Sequence, residues 1–121
     1  MGYDGKYLAC KNYFEKADAL VNIGINGYDA LGCEITTDFS IVNYQYDYTN
    51  PTAPVCSTNN QRNRFFLKCL GEKTEVAGPH TFYTLKDVLK RHNLTGKRIA
   101  MKINCEGCEW TTFKNFPLDQ L

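Results

Sequence analysis

Two glycines and one acid are the residues here whose types and spacing could do chemistry. Gly24 and Gly27 close the run Leu20-Val21-Asn22-Ile23-Gly24-Ile25-Asn26-Gly27, and Asp47 follows Gly24 by 23 positions. A glycine has no Cβ, so a ligand can lie directly on its backbone. A carboxylate is an acceptor-only group and can take two neighbouring hydroxyls at once. In nucleotide-binding α/β folds an acid about 20 residues beyond the glycine turn holds the ribose. A strand-ending turn followed by an unrelated solvated Asp fits the same spacing. Asn26 stands where the dinucleotide pattern G-x-G-x-x-G has its second glycine, which disfavours a pyrophosphate. The phosphate-binding pattern G-x-x-x-x-G-K-[ST] does not occur. A nucleoside without phosphates is the better fit.

Other chemistry-bearing residues form no comparable set. Six cysteines are present, at 10, 33, 56, 69, 105 and 108. Cys105 and Cys108 make one C-x-x-C pair without the second pair that a four-ligand zinc site needs. Without a secretory signal to support a disulfide framework, buried free thiols are the expectation. His80 and His92 lie in or beside polar connections and read as solvated. Tyr44, Tyr46 and Tyr48 share one face of a strand and read as packing residues. Glu109 either orients a substrate or caps a turn.

The elements that must position Gly24, Gly27 and Asp47 are strands. Residues 19–25 are apolar and β-branched, as in a parallel strand buried on both faces. Residues 41–47 alternate with period two and end at Asp47, giving a second strand. Between them the sequence predicts a loop or a single helical turn, because glycines punctuate residues 27–35. Residues 48–63 read as a long polar loop, residues 64–70 as a third strand and residues 72–79 as a further connection. Thr84 is expected to cap a helix with apolar residues at 85, 88 and 89, with Asp87 three positions on. Residues 98–104 are the fourth strand, followed by one helical turn at 111–113. This order predicts an α/β fold with a mostly parallel sheet.

Composition narrows the classes. The 121 residues allow one domain, spanning the whole chain. A net charge of +1 and no basic stripe give no electrostatic case for nucleic acid. No apolar run approaches the length of a membrane span, about 20 residues. No apolar segment follows Met1, so no signal peptide is expected and an intracellular location is favoured.

Several blocks, in order, resemble one family: Asp4-Gly5-Lys6-Tyr7, the Leu20–Gly27 run, Gly32-Cys33-Glu34, Tyr46-Asp47, Thr84-Leu85, and Lys102-Ile103-Asn104-Cys105-Glu106-Gly107-Cys108-Glu109-Trp110. They look like the FkbM-type methyltransferases and related methyltransferase-like domains, which use S-adenosylmethionine (SAM). The resemblance covers nearly the whole chain and is most specific in the last block. It implies a Rossmann-like, mostly parallel sheet, incomplete relative to the full methyltransferase fold. It also implies SAM binding, with Gly24, Asn26 and Gly27 lining the methionine part and Asp47 holding the ribose. Lys6 and Asp4 would close over the site. Asn104 and Glu106 would stand beside the methyl donor as the catalytic positions. The family has Asp where this chain has Asn104, and Asn carries no charge and cannot act as a base. The sequence stops soon after the fourth strand, so another protein chain is expected to cover that edge. Two functions follow: methyl transfer to an unidentified acceptor, or a catalytically inactive methyltransferase-like subunit kept as an interaction module.

Overall fold

A computed structural model describes residues 2–3, 7–8, 14–25, 27–48, 50–56, 60–71 and 73–103, with backbone alone at 2, 3, 7, 8 and 60. The central element is a four-stranded sheet. Its strands are β3 (Ala19–Ile23), β4 (Val42–Asp47), β5 (Asn63–Leu67) and β9 (Ile99–Ile103), in the order β5-β4-β3-β9. All three pairings are parallel. The fold is therefore α/β with a mostly parallel sheet, as the element order predicts. Every residue of β3 is buried, as an apolar central strand covered on both faces must be.

Among the described residues, one helix packs on each face. Helix α1 (Ala30–Phe39) brings Leu31 and Ile35 against Leu20 and Ala100. Helix α2 (Leu85–Arg91) brings Leu85, Val88 and Leu89 against Val21, Ile23, Tyr44 and Tyr46. Helix α1 replaces the loop or single turn expected after Gly27. Its first turn is held by Asp29, whose side chain accepts from the Gly32 N–H. Gly32, read as a breaker, is instead required inside the helix. A Cβ there would stand 2.1 Å from both Asn43 Nδ2 and Asp29 Oδ2.

Beside the main sheet lies a smaller one, formed by β6 (Cys69–Leu70), β7 (Glu75–Ala77) and β8 (His80–Tyr83). The single third strand expected at 64–70 is thus two strands. The chain turns at Lys68, whose N–H bonds the Phe66 carbonyl at 2.9 Å, and Cys69–Leu70 pairs with β8. The expected connection at 72–79 contains β7, antiparallel to β8. Strands β1 (Gly2–Tyr3) and β2 (Tyr7–Leu8) form an antiparallel pair flanking residues 4–6.

Helix α2 begins where Thr84 predicts. The Asp87 N–H donates to Thr84 Oγ1 at 3.1 Å. The reciprocal half of the capping box is relayed, because the Thr84 N–H donates to Thr74 Oγ1, which in turn donates to the Asp87 carboxylate. No helix among the described residues is long and apolar enough to cross a membrane.

Candidate functional site

The chain runs β3, β4, β5 outward in one direction, then returns to place β9 on the other side of β3. Open α/β sheets bind ligands outside the carboxyl ends of their strands, at the point where strand order reverses. Gly24 lies at that point. Its N–H donates to the Tyr46 carbonyl at 2.9 Å, which fixes Gly24 beside the carboxyl end of β4, where Asp47 stands. Lys102, on β9, extends its Nζ to the Gly24 carbonyl at 3.4 Å. Gly24 and Gly27 have φ of 86° and 81°, the left-handed region where glycine carries no steric penalty. Gly27 lies against the loop that follows Asp47: a Cβ there would be 2.9 Å from Asn50 Nδ2.

The structure therefore brings together three predicted site residues, Gly24, Gly27 and Asp47. Asp47 is only 5% exposed. Its charge contributes to the high pKa of the buried Cys69 thiol, which desolvation first and Asp47 second push up to about 11. Lys6, Asn26, Asn104 and Glu106 lie outside the described residues, as do Asp4, Glu109, Trp110 and the expected turn at 111–113.

Beneath the glycine turn lies a polar cluster that sequence reasoning missed. Asp29 is buried, at 5% exposure, and both its oxygens accept two hydrogen bonds. Oδ1 accepts from Asn22 Nδ2 and from the Gly32 N–H, each at 2.8 Å. Oδ2 accepts from Asn43 Nδ2 at 2.8 Å and Gln45 Nε2 at 2.7 Å. Asn43 also donates to Asn63 Oδ1, and Asn63 donates to Thr36 Oγ1 on α1. The cluster ties β3, β4, β5 and α1 to one carboxylate. The available signal was Asn22, a single polar residue within an apolar strand. A buried amide needs partners, and the period-two polar residues of β4 supply companions on the same face.

The cysteines and histidines also depart from expectation. Cys33 on α1 and Cys56 in the loop after β4 form a disulfide, and Cys69 is a buried free thiol. Cys10, Cys105 and Cys108 lie outside the described residues. His92 is not simply solvated: it stacks on Tyr44 with ring centroids 4.1 Å apart and packs against Phe66. Desolvation, then Arg91 and Arg64, lower its pKa, and its Nε2 is hydrogen-bonded to the Tyr46 hydroxyl at 2.6 Å. Burial in turn holds the Tyr46 phenol above its ordinary pKa. His80 is half-buried and meets the Tyr48 ring edge-on at 5.0 Å. Tyr44 and Tyr46 pack in the core as the stripe suggests, whereas Tyr48 is 44% exposed.

Comparison with protein-family models, curated proteins and solved structures found no match to this chain.

Proposed function

We propose that this chain is a SAM-dependent methyltransferase-like domain with a Rossmann-like sheet. The observation that carries the reading is the bond from the Gly24 N–H to the Tyr46 carbonyl. It sets a glycine turn and an acid side by side at the carboxyl ends of adjacent strands, where the strand order reverses. The residues fit a nucleoside without phosphates better than a pyrophosphate. Gly24 and Gly27 adopt left-handed φ values that make a tight turn there, and no described element presents a glycine-rich phosphate cradle. In this reading Gly24 and Gly27 line the methionine part of SAM and Asp47 accepts from the ribose hydroxyls. Lys102 braces the Gly24 carbonyl and so holds the turn's path. SAM supplies the electrophilic methyl group, and the protein's share is to position an acceptor against it. Tyr28, 72% exposed, and Tyr48, 44% exposed, follow Gly27 and Asp47 directly in the sequence. Asn104 and Glu106 belong to this reading as the positions beside the methyl donor. Asn26 and Lys6 belong to it as cofactor contacts.

A second reading, a subunit without catalysis, draws on the burial of Asp47 and on Asn50 seated against Gly27. Among the described residues β9 is hydrogen-bonded to β3 alone, and this reading places another protein chain along its other side. Titration of the folded protein with SAM separates the two. Saturable binding supports the first reading, and absence of binding leaves the second. In either case the Cys33–Cys56 pairing argues for an oxidising compartment rather than the intracellular one expected from sequence.

A further inference from the structure

We propose that Asn93 is an acceptor site for an N-linked glycan. Asn93-Leu94-Thr95 fits the acceptor pattern N-x-[ST], in which x is not proline. It is the one such triplet in the 121 residues, because Asn50-Pro51-Thr52 carries proline at the middle place. A triplet alone is a weak signal, but here its surroundings suit the modification. Asn93 and Thr95 are exposed on either side of Leu94, which is buried in the core with Leu85, Val88 and Leu89. Residues 90, 91 and 95–98 are exposed as well, and a Cβ on Gly96 would meet nothing within 4 Å. Among the described residues, neither the Asn93 side-chain amide nor the Thr95 hydroxyl makes a hydrogen bond. A glycan therefore has room at this turn, and attaching it breaks no bond of the fold.

The backbone accounts for only part of the triplet. Helix α2 ends in a turn where the Asn93 N–H donates to the Lys90 carbonyl at 3.2 Å and the Leu94 N–H to the Leu89 carbonyl at 2.7 Å. Asn93 has φ of 57°, a conformation that asparagine tolerates at a helix end. That cap explains an asparagine at 93 but gives no reason for a threonine at 95. An acceptor triplet explains both. The turn also lies away from the candidate site. Ile99 opens β9 beside Ala19 at the amino end of β3, whereas Gly24 follows the carboxyl end. A five-residue strand, about 16 Å long, separates the two ends. A glycan at Asn93 thus leaves the glycine turn and Asp47 open. The proposal rests on the oxidising compartment inferred from the Cys33–Cys56 bridge, and it is independent of the SAM reading. In the transfer, Asn93 Nδ2 bonds to the anomeric carbon of an oligosaccharide carried on a polyprenyl diphosphate. The bond from that carbon to the diphosphate oxygen breaks, the lipid diphosphate leaves with the electron pair, and Nδ2 gives up one proton.

The test is peptide mapping of the protein purified from the cells that make it, with and without peptide N-glycosidase in heavy-oxygen water. Release of a glycan converts its asparagine to aspartate and marks it with the heavy oxygen. Alkylation before reduction reads the Cys33–Cys56 pair in the same sample. The expected result is a glycan on Asn93, none on Asn50, and an intact bridge. Unmodified Asn93 with the bridge intact would overturn the proposal and leave the compartment reading standing. Unmodified Asn93 with both cysteines as thiols would overturn both. Secretion of the chain from eukaryotic cells behind an added signal peptide supplies the variants. The parent and Thr95→Ser should show a glycosidase-sensitive mobility shift, and Thr95→Ala and Asn93→Gly should lose it. Glycine keeps the left-handed position, so loss of the shift there is not misfolding. A secreted parent without the shift, or a shift that persists in Thr95→Ala, would overturn the assignment.

Discussion

Gln45 donates its side-chain amide to Asp29 Oδ2 at 2.7 Å, joining the second strand of the sheet to the first turn of the helix that covers it. Asn22 and Asn43 donate to the same carboxylate. Asp29 is thus both the cap of α1 and the common acceptor for three buried amides. Removing it leaves the Asn22 and Gln45 amides without this acceptor, at about 1–3 kcal/mol each where no water reaches them, and loses a cap worth about 1 kcal/mol, while Asn43 keeps its bond to Asn63 Oδ1. Asp29→Ala is therefore expected to lose at least about 3 kcal/mol in denaturant unfolding. Asp29→Asn is expected to lose nearly as much, because its NH2 group faces other donors. An Asn variant as stable as the parent would contradict the hub.

Gly32→Ala offers a sharper case, since helix propensity alone predicts a gain of up to about 1 kcal/mol. The new methyl would meet Asn43 Nδ2 and Asp29 Oδ2, both fixed by hydrogen bonds. A net loss of about 1–3 kcal/mol, as for overpacked cores, is expected. Equilibrium unfolding of this variant measures whether the cluster is as tight as drawn.

His92 makes stability depend on pH. Its folded pKa is lowered, so below about pH 6.5 the unfolded chain binds a proton that the folded chain resists. Stability is complete above the unfolded pKa and is lost as pH falls toward the folded one. His92→Gln keeps a hydrogen-bonding partner for the Tyr46 hydroxyl but does not titrate. Unfolding midpoints between pH 7 and pH 5 should fall less steeply for this variant than for the parent. Equal slopes would mean that His92 is not the group responsible.

The Cys33–Cys56 bridge closes a loop across a sequence separation of 23 residues. Chain entropy assigns a loop of that size about 3 kcal/mol. Cys33→Ser/Cys56→Ser should lower unfolding stability by about that amount and remain folded. A larger loss that abolishes folding would make the bridge integral to the core.

Much of the sheet could be read from the chain, because burial on both faces leaves an apolar run at 19–25 and the alternation at 41–47 marks a strand. The Thr84 cap was legible because its partners are three residues apart. Helix α1 was not, because its determinants are distant. Gly32 looks like a breaker until Asn43 and Asp29 are placed beside it. The alternation of β4 was misleading in one respect, since its polar residues point into a buried cluster and not to solvent. The Cys33–Cys56 pairing depends on where the loop 50–56 comes to rest, which no local pattern encodes. At the candidate site the glycine turn and Asp47 were found by spacing, whereas the Asp29 cluster beneath them requires three strands and a helix to be assembled first.

The central claim is that Gly24, Gly27 and Asp47 form a SAM-binding turn. Calorimetric titration of the folded, disulfide-intact protein with SAM tests it most directly, with Asp47→Asn measured in parallel. Asn preserves the shape of the buried acid while losing one acceptor oxygen and its charge. The account predicts saturable one-to-one binding by the parent and an affinity at least tenfold weaker in the variant. No heat of binding to the folded parent, or equal affinities for the two proteins, would contradict it.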